Sequence, residues 1–257
     1  MSNNLFPDIF SLEGENALIT GGGTGIGFAI AEAMHAAGAR VILVGRREKE
    51  LREAVEKLGD RASCFPHDIS QSGGTAAFIE QVTAESGQIT CLVNNAGIQI
   101  KKPAVDTTPD DWETMFRTHL IGAHALVRAV APGMIERKHG SIIYTASMAA
   151  LFGIPLVIAY TAAKSAMVGL VKGYSTEFAP HNVRVNSIAP GWIDTAMSRK
   201  AFEGDPGRKA NVIRRTPMAK LGKPTDIGWA AVYLTSRAAE FVTGVTLAVD
   251  GGVSVGF

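Results

Sequence analysis

Ala17-Leu18-Ile19-Thr20-Gly21-Gly22-Gly23-Thr24-Gly25-Ile26-Gly27 decides how this chain is read. A short apolar run meets a cluster of glycines. Beyond it Ile26, Ile30, Ala33, Met34 and Ala37 recur three or four residues apart, which predicts a helix over 26–37. A buried strand, a glycine turn and a helix in that order form the setting of a phosphate-binding turn. The helix start offers unpaired N–H groups and a partial positive charge, and glycine lets the backbone approach a pyrophosphate closely. A merely flexible turn would also use glycine, but it would not need this placement.

The same alternation continues outward. Apolar β-rich runs at 41–44, 62–65, 91–93, 141–144, 183–188 and 246–249 alternate with helical patterns at 48–58, 75–85 and 156–178. Another helix starts at Thr108-Pro109-Asp110-Asp111, with Thr108 as N-cap and Asp111 three residues on, and runs through Trp112, Met115 and Phe116 towards Met134. Strands buried on both faces read as continuous apolar runs, as those at 17, 41, 91 and 141 do. The expected fold is α/β: one doubly wound, Rossmann-type domain over 1–257, with a mostly parallel seven-stranded sheet and helices on both faces. Ligands of such sheets bind beyond the carboxyl ends of the strands, where strand order reverses.

Composition narrows the class. Of 257 residues 46% are hydrophobic, which excludes intrinsic disorder, and a net charge of +1 argues against a nucleic-acid partner. Cys64 and Cys91 are too few for a disulfide scaffold and suit a reducing, cytoplasmic setting; both are expected to be buried. The start Met1–Asp8 has neither a basic end nor a long apolar run, and the apolar stretch 148–170 is broken by Gly153, Pro155 and Lys164, so neither a signal peptide nor a membrane span is expected. The histidines are scattered singly, with no metal-ligand spacing.

The glycine spacing is TGxxxGxG, at Gly21, Gly25 and Gly27, rather than GxGxxG. With Asp68, Asn94-Asn95-Ala96-Gly97, Ser147, Tyr160-Thr-Ala-Ala-Lys164 and Pro190-Gly191-Trp-Ile-Asp-Thr195 in order along nearly the whole chain, it resembles the short-chain dehydrogenases/reductases. That resemblance implies hydride transfer between a nicotinamide dinucleotide and a carbonyl or secondary alcohol. It also implies that Gly21, Thr24, Gly25, Ile26 and Gly27 hold the pyrophosphate side and that Asp68 and Ile69 flank the adenine. Asn95, Ala96 and Gly97 would line the adenine ribose side, and Pro190, Gly191, Ile193 and Thr195 would hold the nicotinamide. Asn94 would tie neighbouring strands.

The second strand ends Val44-Gly45-Arg46-Arg47. An NAD enzyme of this fold usually carries a carboxylate there for the ribose 2′-OH, whereas a guanidinium matches a 2′-phosphate. NADP is therefore expected. NAD is the alternative, because Arg46 and Arg47 also read as solvated residues opening a helix, and Thr24 stands where many NADP-using relatives place a basic residue.

Hydride transfer requires a positioned acid/base for the substrate oxygen. Tyr160 is the candidate. A free phenol has a pKa of about 10, and a nearby ammonium lowers it. Lys164, four residues on, shares a helix face with Tyr160 and could also bond ribose hydroxyls. Ser147, thirteen residues before Tyr160, would orient the substrate oxygen. An amphipathic tyrosine on a buried helix would need neither Ser147 nor the glycine turn. One departure stands out: seven residues past Trp112 the family has Asn, whose backbone carbonyl holds a water linked to the lysine, and this chain has His119. His119 either joins the proton relay, since the ordinary histidine pKa lies near neutrality, or fills the asparagine's space.

A substrate loop is expected at about 192–218. Its bases Arg199, Lys200, Arg208, Lys209, Arg214 and Arg215 would draw an anionic substrate such as a sugar acid, or would lie on an exposed helix pair. Arg215-Thr-Pro-Met218, Asp226-Ile-Gly-Trp229 and Val249-Asp-Gly-Gly252 resemble the sugar-acid and polyol branch, gluconate 5-dehydrogenase-like members in particular. The alternative is a 3-oxoacyl-carrier-protein reductase-like ketoreductase. A non-catalytic dinucleotide-binding sensor is a further alternative, but it would not need Ser147, Tyr160 and Lys164 together. The family usually forms dimers or tetramers, so a homotetramer or homodimer is expected, with helices 112–134 and 156–178 and the tail Val253–Phe257 as contact surfaces.

Overall fold

Strand β1 (Asn16–Thr20) is buried from end to end and divides its side chains between two cores. Leu18 joins one apolar cluster, and Ala17 and Ile19 join another. The neighbouring strands β2 (Arg40–Gly45), β4 (Cys91–Asn94) and β5 (Gly140–Thr145) alternate the same way. Ile42, Leu92 and Ile142 lie with Leu18; Leu43, Val93 and Ile143 lie with Ile19. A sheet with both faces in apolar contact needs helices on both sides. The structure, a computed structural model, describes residues 8–203 and 206–256.

Seven strands pair in the order β3-β2-β1-β4-β5-β6-β7, with β3 (Ala62–Pro66), β6 (Val183–Pro190) and β7 (Thr246–Val249) completing the set. Every pairing is parallel. On the Ile19 face pack α1 (Gly25–Ala36), α2 (Glu48–Leu58) and α9 (Pro224–Thr235), through Ile30, Met34, Leu51, Ile227 and Ala231. On the Leu18 face pack α3 (Thr75–Ser86), α5 (Ala123–Arg137) and α6 (Ile158–Phe178), through Ile79, Val82, Leu126, Met167 and Val171. Strand order reverses between β1 and β4, so the loops leaving these strands diverge and open a crevice there.

Two elements differ from the expectation. Helix α4 (Pro109–Phe116) starts as predicted: Thr108 Oγ1 accepts the Asp111 N–H at 3.3 Å and Asp111 accepts the Thr108 N–H at 2.9 Å. It does not run unbroken to Met134. A π-helical turn, Arg117–Gly122, separates it from α5 and carries His119. Such wide turns insert an extra residue and frequently mark functional sites. Helix α9 was not foreseen; its start was signalled by Pro224 and by Asp226, whose carboxylate accepts the Lys223 N–H at 2.7 Å.

Candidate active site

The crevice at the β1/β4 divide is a continuous cleft of about 950 Å³. Gly21 and Gly25 hold φ of +66° and +58°, a left-handed backbone natural to glycine. At Gly27 a Cβ would lie 2.1 Å from the Gly21 carbonyl oxygen, so only glycine lets the turn close on α1. The Thr24 side chain makes no cap bond and the first turn holds no acid, so the positive end of α1 faces the cleft without an internal anion. These features fit a pyrophosphate, as the sequence reading expected.

Thr20 and Asn95 lock the two strand ends together. Asn95 Nδ2 donates to the Thr20 carbonyl at 2.9 Å, and the Asn95 and Ala96 N–H groups donate to Thr20 Oγ1, each at 3.0 Å. The tie expected of Asn94 is not made: its side-chain oxygen and nitrogen are buried without a hydrogen-bond partner among the described residues. Asn95 does that work because its side chain reaches across to β1.

At the β2 end Arg47 is committed locally, 3.3 Å from Thr24 Oγ1 and 3.0 Å from Glu50. Arg46 lines the cleft with Asp68. Burial pulls the Asp68 carboxyl upward, but hydrogen bonds from Ser70 and the charges of Arg46 and His67 outweigh it and hold it below its ordinary value.

Ser147 leaves β5, and Tyr160 and Lys164 lie one turn apart on α6, at the other end of the cleft. Ser147 Oγ accepts the Ala149 N–H at 3.1 Å and lies close enough to the Tyr160 phenol to act on its titration. Lys164 is buried; its Nζ donates to the Thr145 carbonyl at 2.6 Å and lies 5.6 Å from the Tyr160 ring centre. Burial pushes the lysine down to about 7. The expected lowering of the phenol by the ammonium does not occur here. Burial holds Tyr160 above its ordinary value, with the nearby Ser147 hydroxyl pulling the other way, and the amine is turned towards Thr145.

His119 packs beside Tyr160. It is 1% exposed, and burial first, then the charge of Lys164, push it down to about 3 against an opposing bond to Ile98. Both causes speak against a relay that titrates near neutrality and favour the space-filling reading. Its ring fills the space against Gly97, where a Cβ would lie 2.5 Å from His119 Cε1.

Each residue expected to be catalytic or to hold the cofactor lines this cleft, from Gly21 to Thr195, whereas Asn94 does not. The cleft also takes in Gln99 and Lys101, which the sequence reading missed although they follow directly on Asn94–Gly97 at the end of β4.

A family model described as enoyl-(acyl carrier protein) reductase matches residues 21–254. The chain belongs to the short-chain dehydrogenase/reductase family. It is 39% identical to 2-dehydro-3-deoxy-D-gluconate 5-dehydrogenase of Bacillus subtilis (strain 168), covering 95% of this chain and 96% of that one. It is 34% identical to gluconate 5-dehydrogenase of Gluconobacter oxydans (strain 621H), covering 97% and 98%. The solved gluconate 5-dehydrogenase of Burkholderia cenocepacia J2315, in complex with NADP and tartrate, superposes with a TM-score of 0.92 at 35% identity, covering 97% and 99%.

The segment 192–218 forms α7 (Ala196–Phe202) and α8 (Pro206–Arg215). Its bases divide: Arg199 pairs with Asp194 at 2.7 Å, Arg215 lies over the Phe152 ring at 5.9 Å, and Arg208 lines the cleft. The tail residue Phe257 lies outside the described residues.

Proposed function

We propose that this protein is an NADP-dependent dehydrogenase/reductase of a sugar acid, interconverting a keto group and a secondary alcohol. One observation carries the reading: Ser147 and Tyr160, with Lys164 one turn on, line the same cleft as an open helix N-terminus and Arg46. The curated relatives named above act on gluconate-type acids, and the superposed structure holds NADP.

When bound, the nicotinamide supplies or accepts the hydride. The α1 N-terminus and the glycine turn would hold the pyrophosphate, Arg46 the 2′-phosphate, Asp68 and Ile69 the adenine, and Pro190 to Thr195 the nicotinamide end. Ser147 would fix the carbonyl oxygen by hydrogen bonding. A phenol held above its ordinary value is protonated at neutral pH, so Tyr160 is ready to donate to the oxygen as it becomes an alkoxide. Lys164 would bond ribose hydroxyls and, once an anionic ligand faces it, regain its proton and stabilise the phenolate left behind. His119 would stay neutral and hold the wall. Lys101 and Arg208 favour an anionic substrate.

We further infer a homotetramer or homodimer working in the cytoplasm. No described helix is long and apolar enough to cross a membrane, and Trp229 and Phe241 stand exposed. Sedimentation at the monomer mass would overturn the oligomer.

The test is NADPH oxidation, followed by absorbance, with 5-keto-D-gluconate, other ketoses and an acetoacetyl thioester. Turnover of the keto acid is expected. Turnover of the thioester alone would make the protein a carrier-protein-type ketoreductase. NADPH binding with no turnover of any compound would make it a sensor.

A further inference from the structure

Two loops that wall the cleft meet at Lys102. The segment after β4 contributes Gln99 and Lys101, and the segment leading into α6 contributes Ile154, Pro155 and Val157. Lys102 adjoins the first wall without lining the cleft, and it holds both walls and a helix start at once. Its main-chain N–H donates to the Leu156 carbonyl at 2.8 Å. Its ammonium meets Asp111 Oδ1 at 2.9 Å and Oδ2 at 2.7 Å. Asp111 also accepts the Thr108 N–H at 2.9 Å, closing the cap of the helix that leads to His119.

Leu156 explains why the second wall needs holding. It sits at φ +70°, a left-handed backbone that a branched side chain keeps only where its surroundings fix it. Its side chain is exposed, and its neighbours Pro155 and Val157 line the cleft. The fixing bond is the one from the Lys102 N–H.

We propose that Lys102, through this three-way clasp with Leu156 and Asp111, is a positioning residue that sets the width of the substrate end of the cleft. The cofactor end has no part in the clasp. The ion pair is partly exposed, so its contribution is geometric and its effect on global stability small. The sugar-acid reading enters only through the choice of assay substrate.

The test uses the full-length variants Lys102→Met, Asp111→Asn and Lys102→Arg. With 5-keto-D-gluconate and NADPH, KM for the keto acid should rise about tenfold in the first two while kcat stays within about threefold. NADPH affinity, read by fluorescence, should not change. Lys102→Arg, which keeps a two-pronged pair, should restore KM. The double variant should be no worse than either single one. Amide hydrogen exchange needs no substrate: Lys102→Met should accelerate 98–103 and 153–157 and leave the sheet unaltered. If the keto acid proves not to be a substrate, exchange alone decides, and unchanged exchange at 153–157 overturns the clasp. Unchanged KM, or NADPH affinity falling in step with KM, also overturns it.

Discussion

The His119 imidazole meets the Tyr160 ring edge to face, with centres 5.7 Å apart and planes at 82°. Its Nε2–H donates to the Ile98 carbonyl at 2.8 Å, and its Nδ1 is buried without a partner among the described residues. A ring so enclosed and so near Lys164 stays neutral until about pH 3. The unfolded chain takes up a proton near the ordinary value of about 6.5. Between these limits the unfolded state binds more protons, so stability falls as pH drops from 6.5 towards 3. His119→Asn should therefore flatten the decline of Tm across that window and leave the kcat profile between pH 5.5 and 8 unchanged. A Tm slope equal to wild type, or a lost kinetic pKa near 6.5, would count against a permanently neutral imidazole.

Tyr160→Phe keeps the ring that packs on His119 and removes the proton. Turnover should drop by about a thousandfold or more, in line with loss of a general acid and its hydrogen bond. NADPH affinity should change less than about threefold, because the ring's packing is preserved. Residual turnover within tenfold of wild type would sink the proton-donor role.

Much of this site was legible before any coordinates. The alternation of apolar runs set the parallel sheet, and Thr20–Gly27, Ser147, Tyr160 and Lys164 were readable because short-range spacing decides where they fall. What stayed hidden depends on contacts between distant segments. Asn94 and Asn95 are neighbours in sequence, but only the fold shows that Asn95 reaches Thr20. The π turn leaves no periodic signature within one helical run. The direction of the Tyr160 shift required knowing that Lys164 Nζ points at the Thr145 carbonyl rather than the phenol.

Lys164 carries a folding cost that its removal should expose. Burial lowers it to about 7, so the folded protein has lost that proton at pH values where the unfolded chain still holds it. Stability should rise with pH from about 7 to 10 on this account, with the full penalty present below 7. Lys164→Met should raise Tm at pH 6.5 by several degrees and flatten the rise at higher pH, while activity is nearly abolished. Calorimetry at pH 6.5 and 9.5 tests this. A variant less stable than wild type at both values would show that the Thr145 bond outweighs the cost of burial.

Arg46 and Arg47 should separate in cofactor preference. Both line the cleft, but Arg47 is already bound to Glu50 and Thr24, whereas Arg46 acts on Asp68. Arg46→Ser should lower kcat/KM for NADPH by about tenfold or more, the scale of one charge-assisted phosphate contact, with NADH little affected. Arg47→Ser should have the smaller effect. Equal losses with both cofactors would remove the 2′-phosphate from the account of Arg46.

Two glycines of the same turn should respond differently to one added methyl. At Gly27 the new carbon would sit 2.1 Å from the Gly21 carbonyl oxygen and 2.5 Å from Asn95 Nδ2, so the turn and the β1–β4 tie must both move. At Gly25 nothing lies within 4 Å, and the only cost is a left-handed φ of +58°, roughly 1 kcal/mol. Gly27→Ala should therefore lose NADPH binding by about a hundredfold or more and lower Tm markedly, since backbone cannot give way as a flexible side chain can. Gly25→Ala should bind within about tenfold, the factor that 1.4 kcal/mol represents. If Gly25→Ala proved the worse binder, a bound phosphate would have to approach Gly25 more closely than Gly27. The tight closure at Gly27 would then matter for folding and not for the cofactor.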